Sequence, residues 1–264
     1  MRFSVILPTR GRKEPLLKSI RSLLDQADTP DQVEVLLGMD YDDEDSVSYV
    51  KTTILPNYPN VKLHMFPSYG YAKLNIYANA LAALSVGRWL MLWNDDALMQ
   101  TQSWDTAVNN YDAHPMPLLR MPVEHMSHPF ALFPIVKRTW FEVVGTFSAY
   151  GHIDRFIYNV QSNIDWNRKN LWIVDVPVTV LHDRYDITGN NNDETFRASM
   201  ENYNEGDAEN PMSDDYAPSF TTVLTCTNKI IHYINTELGG NMKYLDIQSL
   251  PPVEKVITQS HGAH

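Results

Sequence analysis

Trp89-Leu90-Met91-Leu92-Trp93-Asn94-Asp95-Asp96 decides how this chain reads: five bulky apolar residues stop at an amide and two adjacent carboxylates. A run so apolar and so short predicts a strand buried on both faces, as in a mostly parallel sheet. Ligands of open α/β sheets bind beyond the carboxyl ends of the strands, so the acids stand where chemistry is usually done. Neighbouring carboxylates repel, a cation keeps both ionised, and oxygen ligands suit Mg2+ or Mn2+ better than softer metals. The plain alternative is a solvated turn or helix cap, which Asn and Asp also favour.

The chain on either side supports the strand. Residues 3–7 and 33–39 are strand-like, residues 14–24 place Leu16, Leu17, Ile20, Leu23 and Leu24 on one helical face, and an acidic start predicts a helix within 45–54. Residues 61–66 predict a third strand, 72–84 a helix, and 89–93 the fourth strand. This βαβαβαβ order implies right-handed crossovers and a parallel sheet with helices on both faces. Beyond the acidic pair the pattern predicts helices at 104–111, 137–144 and 154–161, and short strands at 118–121, 130–135, 171–174 and 178–181. Residues 185–219, rich in Asn, Asp, Glu, Ser and Gly, predict a long mobile loop with one helix near 195–203, and a last helix is expected at 228–238.

Composition narrows the function classes. A chain of 264 residues, 44% hydrophobic, buries one substantial core. A formal net charge of -11 argues against a broad nucleic-acid-binding surface. The single cysteine, Cys226, leaves no intramolecular disulfide framework and no multi-cysteine zinc site. No stretch has the length of a membrane span and no leader pattern opens the sequence, so the expectation is a cytoplasmic protein.

Four clusters fall where the alternation puts loops at strand carboxyl ends. Pro8-Thr9-Arg10-Gly11-Arg12 follows the first strand and offers N–H groups, a hydroxyl and guanidinium forks to a nucleotide. Asp40 closes the second strand, where a carboxylate accepts hydrogen bonds from a base or ribose. Lys73 and Asn75 stand at a helix start and face the same nucleotide. The fourth cluster joins Asp95 and Asp96 to His182, which follows a short strand and has a nitrogen suited to a metal, and to Asp154, at a helix start, suited to a general base. Taken singly, each has an ordinary structural reading: a βα turn, a solvated acid, a surface lysine, a helix N-cap.

Taken in order, these motifs resemble the GT-A nucleotide-sugar glycosyltransferases of the family 2 type. Residues 3–12 look like that family's first strand and nucleotide loop, Gly38-Met39-Asp40 like its uridine-contacting acid, and Leu92-Trp93-Asn94-Asp95-Asp96 like its metal-binding DxD element. Lys73-Leu74-Asn75 stands where the family carries an Arg-Asn pair, and Ile153-Asp154 where it carries Glu-Asp, with His152 just before. The resemblance implies an α/β GT-A fold, a Rossmann-like, mostly parallel sheet flanked by helices with an elaborated C-terminal acceptor region. It implies Asp96 and His182 as ligands of Mn2+ or Mg2+, and Asp154 as the catalytic base. Pro8, Thr9, Arg10, Arg12, Asp40, Lys73, Asn75, Asn94 and Asp95 are the expected nucleotide-sugar contacts.

The implied activity is transfer of a sugar from a nucleoside-diphosphate sugar, with UDP-sugar favoured, to an acceptor hydroxyl with inversion. The acceptor is a glycan, a small metabolite or a modified nucleobase. A nucleotidyltransferase of similar architecture and a noncatalytic sugar- or nucleotide-binding module are the alternatives. The expected organisation is a GT-A domain over 1–225, with a donor half at 1–115 and an acceptor half at 116–225, then a C-terminal helix and tail at 226–264.

Overall fold

The computed structural model describes residues 1–128, 130–165, 172–197, 200 and 220–246. The N-terminal part runs β1 (Phe3–Pro8), α1 (Lys13–Asp25), β2 (Val33–Asp40), α2 (Glu44–Tyr49), β3 (Val61–Phe66), α3 (Leu74–Leu84), β4 (Trp89–Leu92), β5 (Ala97–Met99) and α4 (Trp104–Asn109). After it come β6 (Leu118–Arg120), β7 (Ile135–Lys137), α5 (Arg138–Val144), α6 (Ile153–Asp165), β8 (Ile173–Asp175), β9 (Val180–His182), α7 (Tyr185–Thr188) and α8 (Phe220–Glu237).

Seven strands form one sheet in the order β3-β2-β1-β4-β7-β6-β8. Strands β3, β2, β1 and β4 are mutually parallel, and β7 then turns the sheet antiparallel on both of its sides. Alternation along β1 explains the layering. Phe3, Val5 and Leu7 join a core with Leu16, Ile20 and Leu23 of α1, while Ile6 points to the opposite core with Ala78 and Leu81 of α3, Trp140 of α5 and Phe156 of α6. Both faces are covered, which is why β2 is buried along its whole length. The charge in this layer is paired: buried Glu34 accepts from Ser4, from Lys62 at 2.6 Å and from the Val86 amide at 2.7 Å.

The chain fills β1, β2 and β3 on one side of the sheet and then crosses to β4 on the other side of β1. That reversal opens a crevice at the strand carboxyl ends between β1 and β4. A second, two-stranded sheet pairs β5 with β9 antiparallel, Ala97 opposite His182. Its register carries His182 to the acidic pair, and the Asp183 amide closes the connection on the Asp96 carbonyl at 2.7 Å.

Several expectations are corrected in detail. The strand expected at 130–135 begins only at Ile135. Pro134 lacks a ladder donor, its carbonyl accepts from Leu92, and Phe130 and Leu132 turn into a cavity. The helix expected over 45–54 is α2 followed by a widened turn at Val50–Ile54, where β-branched residues crowd a regular helix. Before α3, Tyr71–Lys73 forms a tighter 3-10 turn. Helix α8 starts at Phe220 rather than Asn228; Thr221, Thr222 and Val223 hide it from propensity, and tertiary packing overrides them. It crosses the expected 225/226 boundary, with Val223 and Cys226 in one core. The stretch expected as a long loop holds α7 and a helical turn at 194–197; its remainder, residues 198–199 and 201–219, lies outside the described residues. None of the described helices is long and apolar enough to cross a membrane.

Candidate active site

The loop after β1 turns at Gly11, whose φ of +70° suits glycine, and its amide donates to Asp43 at 2.7 Å. This turn sends Arg10 and Arg12 in different directions. Arg10 reaches Asp40 at 2.8 Å and also Asp42, so it stands over the end of β2. Asp40 is buried and accepts further hydrogen bonds from the Tyr77 hydroxyl and from Ser68.

Arg12 is buried, and Nη1 bridges Asp95 Oδ1 at 2.9 Å and Asp96 Oδ2 at 2.6 Å. Its other edge binds Asp193 through two hydrogen bonds of 2.7 and 2.9 Å. Thr9 donates to Asp95 Oδ2 at 2.6 Å, and His182 Nε2 lies 3.0 Å from Asp96 Oδ1. Every carboxylate oxygen of the pair thus has a partner. His182 is held edge-on against Phe133, with ring centroids 5.2 Å apart.

The two acids are electrostatically unlike. Burial pushes Asp95 above the usual carboxylate range against the pull of Arg12. Burial acts on Asp96 in the same direction, but the hydrogen bond with His182 and the charges of His182 and Arg12 outweigh it and hold Asp96 low. Asp96 is therefore the more firmly ionised of the two. For Arg12, burial opposes the charge, and Asp95, Asp193 and Asp96 more than restore it.

Two cavities meet at this point. One, about 520 Å³, is lined by the β1 loop, Asp40, Asp95, Asp96 and the 193–196 strap; the other, about 450 Å³, by Met126, Phe130, His152, Asp154 and Arg155. Pro8, Tyr71, Leu74, Asn94, His182 and Arg184 line both. Asp154 is the second residue of α6 rather than its N-cap, and burial raises its carboxyl, only partly opposed by the Arg155 amide. Tyr71, which lines both cavities, is pushed up to about 12 by burial and by the charges of Asp154 and Asp96.

Pro8, Thr9, Arg10, Arg12, Asp40, Asn94, Asp95, Asp96, His182 and Asp154 all line one or both cavities. Lys73 and Asn75 line neither of these two cavities: Tyr71 and Leu74 do so from the same turn, and Lys73 is exposed. Sequence reasoning missed Tyr71, Arg184 and Asp193. Tyr71 stands at the opening of the helix expected at 72–84, and Arg184 and Asp193 lie beside and within a polar stretch whose pattern names no partner.

The described residues contain no group of three or more His, Cys, Asp or Glu side chains arranged to hold a metal. Asp96 and His182 are the carboxylate and imidazole that would hold a divalent ion at the junction of the cavities, in exchange for the 3.0 Å contact they make with each other. Such ions usually take one or two protein ligands and complete the shell with substrate phosphates and water.

Residues 4–120 match the family model described as glycosyl transferase family 2. No curated protein matches the sequence. Among solved structures, Staphylococcus aureus TarS 1-349 in complex with UDP-GlcNAc is similar at a TM-score of 0.52 and 14% identity, over 89% of this chain and 73% of that one. The mannosyltransferase PcManGT from Pyrobaculum calidifontis, in complex with GDP-Man and Mn2+, is similar at 0.55 and 13%, over 92% and 76%. Residues 4–120 are thus similar to glycosyl transferase family 2, and the sheet with its flanking helices has the GT-A fold of the two similar structures.

Proposed function

We propose that the protein transfers a sugar from a nucleoside-diphosphate sugar, most favourably a UDP-sugar, to an acceptor hydroxyl by a single inverting displacement. One observation carries this reading: two cavities share a wall at Asn94 and His182, with the paired acids on one side and Asp154 on the other. Residues 1–115 then form the donor half, and the acceptor half begins at 116 and runs into α8. Cys226, buried and unpaired, suits a reducing compartment, and the cytoplasm belongs to the same proposal.

In this reading Asp40 accepts from the uracil or ribose, Asn94 and Asp95 line the ribose and sugar, and Thr9, Arg10 and Arg12 lie along the diphosphate. Asp96 and His182 hold Mn2+ or Mg2+, which when bound supplies Lewis-acid stabilisation of the leaving diphosphate. Asp154 takes the proton of the attacking hydroxyl; its raised affinity for a proton brings it nearer the working pH of a general base. Tyr71 covers the junction and limits access of water to it.

The direct test supplies UDP-sugars, GDP-sugars and nucleoside triphosphates with Mn2+ and follows the products. Release of UDP from a UDP-sugar at about tenfold or more above GDP release from GDP-sugars supports the proposal, tenfold being about 1.4 kcal/mol of selectivity. Pyrophosphate from a triphosphate would move the protein to the nucleotidyltransferases, and no turnover together with retained UDP binding to a noncatalytic module.

A further inference from the structure

The acceptor-side cavity contains a cation that the transfer chemistry does not use. Arg155 follows Asp154 in the first turn of α6, is half-buried, and lies over the Phe130 ring at 5.8 Å. Phe130 is braced in turn by His128 at 5.0 Å and Tyr158 at 5.1 Å between ring centroids. A guanidinium within cation–π reach of a ring keeps N–H groups that can fork onto a carboxylate or phosphate.

None of the ion pairs among the described residues involves Arg155. The other guanidinium of the cavity, Arg184, is already gripped at two points by Asp186. Beside the Phe130 wall, burial lowers His128 and His152, so these two imidazoles add little charge at neutral pH, while His182 is engaged with Asp96. In a chain of net charge -11, the general field repels anions, so an anionic group entering here needs a dedicated local cation.

We propose that the acceptor is a sugar or polyol bearing an anionic group, a phosphate or a carboxylate, near its attacking hydroxyl, and that Arg155 binds that group while the Phe130 wall packs against the carbon frame. This rests on the acceptor-side reading of the cavity beside Asp154. Arg155 is then a specificity residue: it selects among acceptors and orients the hydroxyl toward Asp154 without taking part in proton transfer. Loss of one charge-assisted fork corresponds to roughly tenfold or more in affinity.

The test uses the full chain saturated with UDP and Mn2+, which fills the diphosphate site, and titrates glucose, glucose 6-phosphate and glucuronate by calorimetry. We expect one or both anionic probes to bind about tenfold or more tighter than glucose; whichever does so separates phosphate from carboxylate as the natural group. Arg155→Gln should abolish the preference and Arg155→Lys should keep part of it, with UDP affinity and melting temperature unchanged in both. Equal binding of charged and neutral probes, or a preference that survives Arg155→Gln, overturns the proposal. If UDP itself does not bind, the donor reading fails, yet the same comparison of probes between wild type and Arg155→Gln still decides the anion site.

Discussion

Arg12 sits where its charge serves three carboxylates at once, Asp95, Asp96 and Asp193, and together with the hydrogen bonds from Thr9 and His182 this explains how two adjacent acids remain buried. A nucleotide-loop arginine was legible in the sequence; its three partners were not, because they come from segments 83 to 181 residues away. Asp154 was legible only through family resemblance, and its place as the second residue of α6 weakens the capping explanation for it. Asp154→Asn should therefore lower kcat by about 10²-fold or more while shifting the melting temperature little, because the amide keeps the shape but accepts no proton. Near-normal turnover would remove it as the base. His152 gives a pH signature instead. Burial, helped by the neighbouring Arg155 charge, lowers its imidazole to about 4 from an ordinary 6.5. Below 6.5 the unfolded chain takes up a proton that the folded chain refuses until about 4, so stability present above 6.5 is lost as pH falls through that window. After allowance for partial solvent screening this is about 1–2 kcal/mol, and urea unfolding at pH 7 and 4.5 should find the loss reduced in His152→Gln.

At the level of elements, the site depends on a pairing too short for a pattern to reveal. Strands β5 and β9 have three residues each, yet their register sets His182 opposite Ala97 and so beside Asp96. Three residues show no period, whereas the long amphipathic α1 and the buried β2 declare themselves. The same limit hid the strap after β9. Asp193 binds Arg12 at two points and also accepts from the Phe196 amide at 2.8 Å, while Thr195 donates to the Arg10 carbonyl, so charge chemistry rather than an apolar stripe docks this segment. Asp193→Asn keeps the shape and weakens the ion pair; hydrogen exchange across 185–197 should rise about tenfold, with β1 and β2 unchanged. Unaltered exchange would mean that other contacts carry the strap.

Across the whole molecule, the sheet order places β1 between its two crossover neighbours, and the resulting crevice gathers residues from the first loop, Pro8 to Arg12, to the strap at 193–196. That architecture was readable because strand and helix periods alternate cleanly through residue 93. The C-terminal half was less readable because its strands are short and its last helix begins with β-branched residues. On the proposed reading, an acidic protein that binds a diphosphate must supply compensating charge within the crevice: Arg10 and Arg12 would do so from the chain, and a divalent ion on Asp96 and His182 would do the rest. The most direct measurement is a calorimetric titration of UDP into the wild-type protein and Asp96→Asn, each with Mn2+ and with EDTA. The account predicts that Mn2+ tightens wild-type binding by about tenfold or more, equivalent to about 1.4 kcal/mol, and that the gain largely disappears in Asp96→Asn. Equal wild-type affinity with Mn2+ and with EDTA would contradict it and leave Arg12 as the cation that meets the diphosphate.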